Sequence, residues 1–234
     1  MLEVRSRETE QMDNLDLSGK ALHDTLDGLS TINKYLGNTN AIFFAVKAEI
    51  KDYDVPLQIV DLGCGGGDNL RAIADWCAQN DHPVSLIGID GNSNILQHAE
   101  AKNNTSCQVN YIQADILASD FQLPLCDLLI SSHFMYHFSD EEFVEFLKRA
   151  KSQVRLKMFF SELQRSSFAY SLFKSGATLL PFSKMVKEDG LKAIRRSFRR
   201  KELEYIIEKA EISTYDISWK WAFRYLVEIR VKDF

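Results

Sequence analysis

The stretch Val60-Asp61-Leu62-Gly63-Cys64-Gly65-Gly66-Gly67 decides the predicted fold. It closes a short apolar run at residues 57–62, and apolar residues at helical spacing follow it, which predicts a strand, a turn and a helix in succession. Glycines at such a turn let ligand atoms approach bare backbone at the start of the helix. The sequence therefore predicts that this turn binds a nucleotide-like ligand.

Strand-like runs alternate with helical patterns after this point. The five runs lie at residues 57–62, 84–89, 109–113, 128–131 and 154–160. Two further runs, at 213–219 and 222–231, are separated by a short gap and predict a final antiparallel hairpin. The pattern predicts an α/β, Rossmann-like doubly wound sheet, mostly parallel, with helices on both faces. Ligands in such sheets bind at the carboxyl ends of the strands.

Two segments fall outside this alternation. Residues 1–55 have helical patterns, with Leu22, Leu26 and Leu29 on one face and a break at Gly37, and they predict an N-terminal helical cap. Residues 56–234 then form the main domain. Within it, residues 161–200 are rich in aromatic and apolar side chains before they turn basic, and we expect this insertion to act as a lid over a substrate.

Composition narrows the classes of protein. The chain has 234 residues and a net charge of −5, which argues against a general nucleic-acid binder. No apolar run is long enough to span a bilayer, and the first residues lack the apolar core of a signal peptide. The four cysteines form no C-x-x-C pair, as expected for reduced thiols. We therefore expect a cytoplasmic protein.

Acidic residues around the glycine turn indicate the charge of the ligand. In the dinucleotide pattern G-x-G-x-x-G, counted from Gly63, the third glycine falls on Asp68. Asp61 and Asp68 flank the turn, which disfavours a pyrophosphate and favours a cation. Asp90 ends the second strand, where a carboxylate can accept both ribose hydroxyls. Asp115 follows the third strand and could bind an adenine amino group. Helix capping alone would explain any one of these acids, but not three at successive strand ends.

These segments together resemble the class I S-adenosylmethionine-dependent methyltransferases over about residues 55 to 160. The glycine turn resembles the first motif of that family, and Gly88-Ile89-Asp90 resembles its second cofactor segment. Gln113-Ala114-Asp115-Ile116 is similar to the adenine segment, and Asp127-Leu128-Leu129-Ile130-Ser131-Ser132 to the segment that borders cofactor and substrate. The resemblance implies S-adenosylmethionine, whose sulfonium and ammonium suit the flanking acids.

The resemblance also implies a set of cofactor-binding residues. They lie at the glycine turn and at the ends of the next three strands: Asp61, Gly63, Cys64, Gly65, Gly67, Asp68, Asn69, Asp90, Gly91, Asn92, Asp115, Ile116, Ser131 and Ser132. The Asn-Pro-Pro-Tyr sequence of adenine and glutamine amide methyltransferases is absent after the fourth strand. The stretch 132–138 is more similar to small-molecule and ubiquinone-type C- and O-methyltransferases.

His133 and His137 are the candidate general bases, because imidazole titrates near neutral pH. Their spacing would let both face a ligand only if the segment were helical. Tyr136 could line the methyl channel. Each of the three could equally be a packing residue. No third ligand accompanies the histidines, so no metal is predicted.

The leading interpretation is methylation of a small, hydrophobic or aromatic acceptor on oxygen or carbon, by a monomer or homodimer. A second is an RNA methyltransferase that uses the basic residues within 192–201, although such a run is also typical of a solvated helix face. A third is a non-catalytic protein that keeps the fold and binds the cofactor. A dehydrogenase is the fourth, and the glycine spacing counts against it.

Overall fold

Seven strands form one sheet in the computed structural model, which describes residues 2–105, 107–179 and 182–231. Their bounds are β1 Leu57–Leu62, β2 Val84–Asp90, β3 Val109–Gln113, β4 Cys126–Ser132, β5 Val154–Leu163, β6 Tyr215–Lys220 and β7 Arg224–Arg230. The strand order is β3-β2-β1-β4-β5-β7-β6. Strands β1 to β5 pair in parallel, and β7 pairs antiparallel with both β5 and β6. The predicted doubly wound sheet with its closing hairpin is confirmed.

Eight α-helices surround the sheet within the described residues. Their bounds are α1 Gly19–Tyr35, α2 Asn38–Ile50, α3 Asp68–Gln79, α4 Ser93–Lys102, α5 Asp140–Ala150, α6 Ser167–Leu179, α7 Lys184–Arg196 and α8 Arg200–Lys209. None of the helices in this part of the chain is long and apolar enough to cross a membrane.

Several strand bounds differ from the predicted ones, and two differences bear on the lid and the hairpin. Strand β5 runs to Leu163 rather than to residue 160, and the hairpin gap is three residues, 221–223, rather than two. The extra part of β5 pairs with the start of β7, with Leu163 opposite Arg224. This pairing joins residues about sixty positions apart, so local periodicity does not report it. The predicted lid therefore begins after the last three residues of β5.

The core lies on both faces of the sheet. Alternate residues of β1 point to opposite sides, so Ile59 belongs to one apolar cluster and Val60 to the other. Helix α2 packs on the Ile59 side through Ile42 and Val46, both fully buried. Helix α5 packs on the other side, and it begins at the predicted capping box, in which the Ser139 hydroxyl accepts from the Glu142 N–H at 3.2 Å. Helices packed on both faces of the sheet thus hold the strands whose carboxyl ends form one edge.

The N-terminal residues and the 161–200 insertion meet above the carboxyl edge of the sheet. The Asp189 carboxylate on α7 accepts from the N–H groups of Gln11 at 2.9 Å and Met12 at 3.1 Å. The Ser6 N–H donates to the Arg195 carbonyl at 2.9 Å. Residues 180 and 181 of the predicted lid lie outside the described residues. The division at residue 55 and the lid role of 161–200 stay predictions.

Candidate active site

A cavity of about 1050 Å³ lies at the carboxyl ends of β1, β2 and β4. This is where the strand order reverses, the usual ligand position in such sheets. Its volume is at the upper end of the range for ligand pockets, about 300 to 1000 Å³, so it has room for two ligands side by side. The glycine turn forms one wall, and α1, α6, α7 and the β6–β7 turn form the opposite one.

The glycines of the turn meet two different demands. Gly63, Gly65 and Gly67 all have left-handed backbone, with φ of 63°, 52° and 78°. A Cβ on Gly63 would overlap the ring of Phe134, and one on Gly67 would overlap the hydroxyl of Tyr111. A Cβ on Gly65 would meet nothing within 4 Å. Packing thus requires two of these glycines, whereas the third leaves open space that a ligand can fill.

Asp90 organises the turn and faces the cavity. Its carboxylate accepts from the N–H of Gly65 at 3.1 Å and from that of Asn92 at 3.1 Å. Burial raises its pKa above the ordinary value, and these backbone hydrogen bonds oppose the shift. The carboxylate is therefore held in place by the turn that it stabilises.

The two acids that flank the turn do not behave alike. Asp68 lines the cavity, but its carboxylate already pairs with Arg71 and accepts from the Ser30 hydroxyl at 3.0 Å. Asp61 is fully buried, and burial raises its pKa to about 8, so it is largely protonated at neutral pH. One of its oxygens, Oδ1, has no hydrogen-bond partner. The two acids therefore differ in charge, because ion pairing and burial are invisible in the residue spacing, and their binding of the cofactor stays a prediction.

Most residues of the predicted cofactor set line the cavity: Gly63, Cys64, Gly65, Asp68, Asn69, Asp90, Gly91, Asp115, Ile116 and Ser132. Four do not, namely Asp61, Gly67, Asn92 and Ser131. They lie behind the wall and support it. The Ser131 hydroxyl donates to the Leu62 carbonyl at 2.7 Å, and Asn92 caps α4 by accepting from the Asn94 N–H at 2.8 Å.

The loop after β4 brings both candidate histidines to the cavity. His133 has left-handed backbone, with φ of 55°, and Met135–His137 forms a 3-10 turn. Glu162 on β5 holds this loop, since its Oε1 accepts from the N–H groups of Phe134 at 3.2 Å and Met135 at 3.0 Å. His133, Tyr136 and His137 all line the cavity. The segment from His133 to His137 is thus not the one helix that their spacing required. Both residues reach the cavity because left-handed backbone at His133 precedes the 3-10 turn.

His137 is part of a buried polar cluster centred on Arg196, which we call the Arg196 network. Arg196 Nη1 lies 2.7 Å from an Asp13 oxygen and 3.2 Å from a Glu10 oxygen. His137 Nδ1 lies 2.9 Å from Arg196 Nη2 and 3.2 Å from the other Asp13 oxygen. The Tyr136 hydroxyl donates to the second Glu10 oxygen at 3.3 Å. All five side chains line the cavity.

Burial sets the charges in this network. It raises the pKa of Glu10 to about 8, although Arg196 opposes the shift. Burial, and then the nearby Arg196 charge, lower the pKa of His137 to about 4. At neutral pH the imidazole is therefore uncharged. The sequence offered no third ligand beside the histidines, but Glu10, Asp13 and His137 bring ligand atoms within 4.8 Å of one another. The Arg196 guanidinium already supplies a positive charge between them, so we assign no metal there.

Sequence reasoning missed Glu10 and Asp13 altogether. It placed Arg196 in a basic run, but this arginine is 8% exposed, and its neighbours are also engaged. Lys192 donates to the Thr9 carbonyl at 2.8 Å, and Arg195 pairs with Glu8 at 2.5 Å. The basic run therefore mainly anchors the N-terminal segment. An RNA-binding face would keep only the exposed Arg199, Arg200 and Lys201 of this run.

Glu162 gives a test of these buried charges. Burial raises its pKa to about 8, so between pH 4.5 and 8 the unfolded chain releases a proton that the folded chain keeps. Stability contributed by this group falls as pH rises through that window. We expect Glu162→Gln, which keeps the acceptor for both N–H groups, to make the decline in unfolding free energy shallower by up to about 1.4 kcal/mol per pH unit.

Urea unfolding at pH 5, 6, 7 and 8 measures this effect, with Glu141→Gln on the exposed start of α5 as the matched control. Buried Glu10 and Asp61 contribute a decline of the same sign, so the variant keeps part of the slope. Parallel curves for the wild type and Glu162→Gln would show that Glu162 is ionised in the folded protein.

Comparison with known proteins gives the following similarities. The family profile described as a methyltransferase domain matches residues 59–156. No curated protein sequence matches the chain significantly. A plantazolicin methyltransferase solved with S-adenosylhomocysteine is similar, with TM-score 0.66, 16% identity, 90% of this chain and 88% of that one covered. The magnesium protoporphyrin IX methyltransferase of Synechocystis PCC 6803, solved with the same ligand, is similar with a TM-score of 0.55 and 16% identity, and 83% of each chain is covered.

Human N-acetylserotonin methyltransferase, solved with S-adenosylmethionine, gives a TM-score of 0.61 at 13% identity. It covers 89% of this chain, which spans only 55% of the human protein. At these identities the structural matches establish the fold. The family profile adds the glycine turn and every strand from β1 to β4, together with the loop that carries both histidines.

Proposed function

We propose that this chain, which matches a methyltransferase domain over residues 59–156 and has the fold of the class I S-adenosylmethionine-dependent methyltransferases, methylates a small, apolar or aromatic acceptor on oxygen or carbon. One observation carries the proposal. A single cavity joins the glycine turn to a wall of apolar side chains from α1, α6 and α7. The cofactor and the acceptor would therefore share one continuous cavity.

The residues present fit S-adenosylmethionine. The open space beside Gly65 can accept the cofactor, and the unpaired Asp61 Oδ1 lies behind the turn, where a bound cation would favour its ionised form. Asp90 would hold the ribose hydroxyls, and Asp115 with Ile116 the adenine. When bound, this cofactor supplies an activated methyl group on sulfur. The chain supplies position and excludes water.

The far wall suits an apolar acceptor. It is made of side chains from three helices: Leu26, Leu29, Leu172, Phe173, Ala177 and Ile194. Aliphatic and aromatic surfaces of this kind stabilise a ligand by removing its apolar area from water. Both ends of the described chain contribute to this wall, whereas the cofactor end is built from residues 61–132.

The two histidines favour an acceptor that is already acidic. Burial lowers the pKa of His133 to about 3 and that of His137 to about 4, so both rings are neutral and weakly basic. A phenol or carboxylic acid needs little help to lose its proton, while an aliphatic alcohol or carbon acid needs a stronger base. We propose that His137, oriented by Asp13 and Arg196, receives the proton, that His133 and Tyr136 position the acceptor, and that alignment supplies most of the rate enhancement.

His137→Gln checks this assignment of roles. Gln keeps polar atoms at the end of the side chain but cannot take up a proton. We expect kcat to fall only about tenfold, with KM for S-adenosylmethionine unchanged, because a full general base would contribute about 10² or more. Steady-state kinetics with Glu145→Gln on α5 as the control measures it. A loss well above 10²-fold would make His137 an essential general base and would contradict the proposed reliance on alignment.

Calorimetry and a product assay test the proposed function itself. Purified protein should bind S-adenosylmethionine, and with a panel of phenols, aromatic carboxylic acids and apolar alcohols it should transfer a radiolabelled methyl group to at least one. Absence of cofactor binding would refute the proposal. Cofactor binding without turnover across the panel would instead identify a non-catalytic protein of the same fold.

A further inference from the structure

Arg224 occupies a place in the acceptor end of the cavity that is unusual for a charged side chain. It is the first residue of β7, it lies opposite Leu163 of β5, and it is only 1% exposed. It also lines the cavity, beside the turn 221–223 between the two hairpin strands. A guanidinium in so dry a position is costly unless its charge and its five N–H donors are matched.

The protein provides hydrogen-bond acceptors for only some of the N–H groups of this guanidinium. Nη1 donates to two backbone carbonyls, those of Leu36 and of Trp221, the latter at 2.9 Å. Nε is buried and has no hydrogen-bond partner. Within residues 2–105, 107–179 and 182–231, no carboxylate lies within 4 Å of it. Two carbonyl dipoles thus hold the side chain in place and leave its charge without a counter-ion.

His133 has a second buried nitrogen without a partner beside the same cavity. Its Nε2 is buried and lacks a partner, while its backbone N–H donates to the Ser161 carbonyl at 2.8 Å. The Arg224 charge is close enough to lower the pKa of this ring further, so the imidazole stays neutral and can present one N–H. Asn38, 1% exposed, lines the cavity near them and is fixed by the Ser161 hydroxyl at 2.7 Å.

We infer that Arg224 and His133 form a subsite for an anionic oxygen of the methyl acceptor, that of a carboxylate or an ionised phenol. The inference rests on the proposed function for the identity of the ligand as acceptor, and it narrows the acceptor from an apolar molecule to an apolar acid. One oxygen would satisfy both unpaired donors and neutralise the guanidinium. The apolar body of the acceptor would then lie against α6, where Leu172 and Phe173 line the cavity.

A purely structural role for Arg224 makes a different prediction. If the arginine only ties the turn between α1 and α2 to the hairpin, through Leu36 and Trp221, the cavity should bind a neutral ligand as well as a charged one of the same shape. A matched pair of probes therefore separates the two roles, since both probes share the apolar body and differ in charge.

The experiment measures binding of 1-naphthoate and of its neutral amide, 1-naphthamide, at pH 7.5. Fluorescence of Trp221, which lines the cavity, reports binding, in the presence of S-adenosylhomocysteine and without it. We expect naphthoate to bind at least tenfold more tightly than naphthamide in both states. Equal affinities in the wild-type protein would overturn the inference.

Variants then locate the preference. Arg224→Met should abolish it while naphthamide affinity stays within about threefold, and Arg155→Met, an arginine at the far end of β5, should leave it intact. If Arg224→Met does not fold, His133→Phe should weaken naphthoate binding severalfold with naphthamide unchanged. A preference that survives in Arg224→Met, or that is undiminished in His133→Phe, would place the anion elsewhere and refute the subsite.

Two further measurements complete the experiment. One compares a phenolate with a carboxylate, and the other distinguishes failure of the subsite from failure of the proposed function. 1-Naphthol, measured below and above the pH at which it ionises, shows whether a phenolate serves as well as a carboxylate. Charge preference without S-adenosylhomocysteine binding would refute the proposed function and leave the subsite standing. S-adenosylhomocysteine binding without charge preference would do the reverse.

Discussion

Gly63→Ala is expected to lower the free energy of unfolding by about 3 to 4 kcal/mol and to eliminate cofactor binding. The added Cβ would overlap the Cβ, Cγ and Cδ2 atoms of Phe134, so the loop after β4 must move and not merely a side-chain tip. Overpacking of this kind costs about 1 to 3 kcal/mol, and a left-handed backbone, φ 63° at this residue, adds about 1 to 2 kcal/mol for alanine. Urea unfolding and calorimetry with S-adenosylhomocysteine measure the two effects.

Gly65→Ala is the matched control. It has the same left-handed strain, with φ of 52°, but its Cβ would enter open space in the cavity. We expect a loss of only about 1 to 2 kcal/mol in stability together with a loss of cofactor affinity, because the methyl group takes space meant for the ligand. If Gly63→Ala unfolds no more easily than Gly65→Ala, Phe134 does not constrain the turn.

Asp90→Ala is expected to raise the Kd for S-adenosylmethionine about 10³-fold. The carboxylate lines the cavity beside the glycine turn and is fixed by two N–H groups, those of Gly65 and Asn92. Two charge-assisted hydrogen bonds to the ribose would contribute about 1.5 to 3 kcal/mol each, and their loss accounts for the change. Asp75→Ala, on the exposed face of α3, is the control for the loss of an acid. A change below about tenfold would mean that Asp90 serves the turn and not the ligand.

The sheet was predictable because its signals are local. Apolar runs ending in glycine or aspartate defined β1 to β3 almost to the residue, and the cofactor wall follows from them because parallel strands end at one edge. The same reasoning brought Asp90, Asp115 and the loop after β4 together. The burial of a side chain depends on residues distant in the sequence. The raised pKa of Asp61, which burial causes, could therefore not be predicted from the residues around it.

The Arg196 network could not be predicted, because it joins groups far apart in the sequence. Glu10 and Asp13 reach Arg196 across more than 180 positions, and nothing in their own surroundings distinguishes them from surface acids. Arg224 did leave a trace, since it directly precedes the apolar run Tyr225-Leu226-Val227 of β7. A single charge at a strand end is common at the surface, however, and only its burial in the folded chain shows that it is unusual.

The chain uses its two ends and its middle for different tasks. Cavity-lining residues between 61 and 132 form the wall where the cofactor would sit, while those within 9–38, 133–137, 163–177 and 182–224 would surround the proposed acceptor. Substitutions during evolution can therefore change the residues around the acceptor while the residues of the cofactor wall stay the same. A new acceptor requires changes in α1, α6 and the hairpin turn, and grafting these pieces onto a related sheet should transfer acceptor choice as a unit. Asp189 on α7 accepts hydrogen bonds from the N-terminal segment, so these two segments should be transferred together in such a graft.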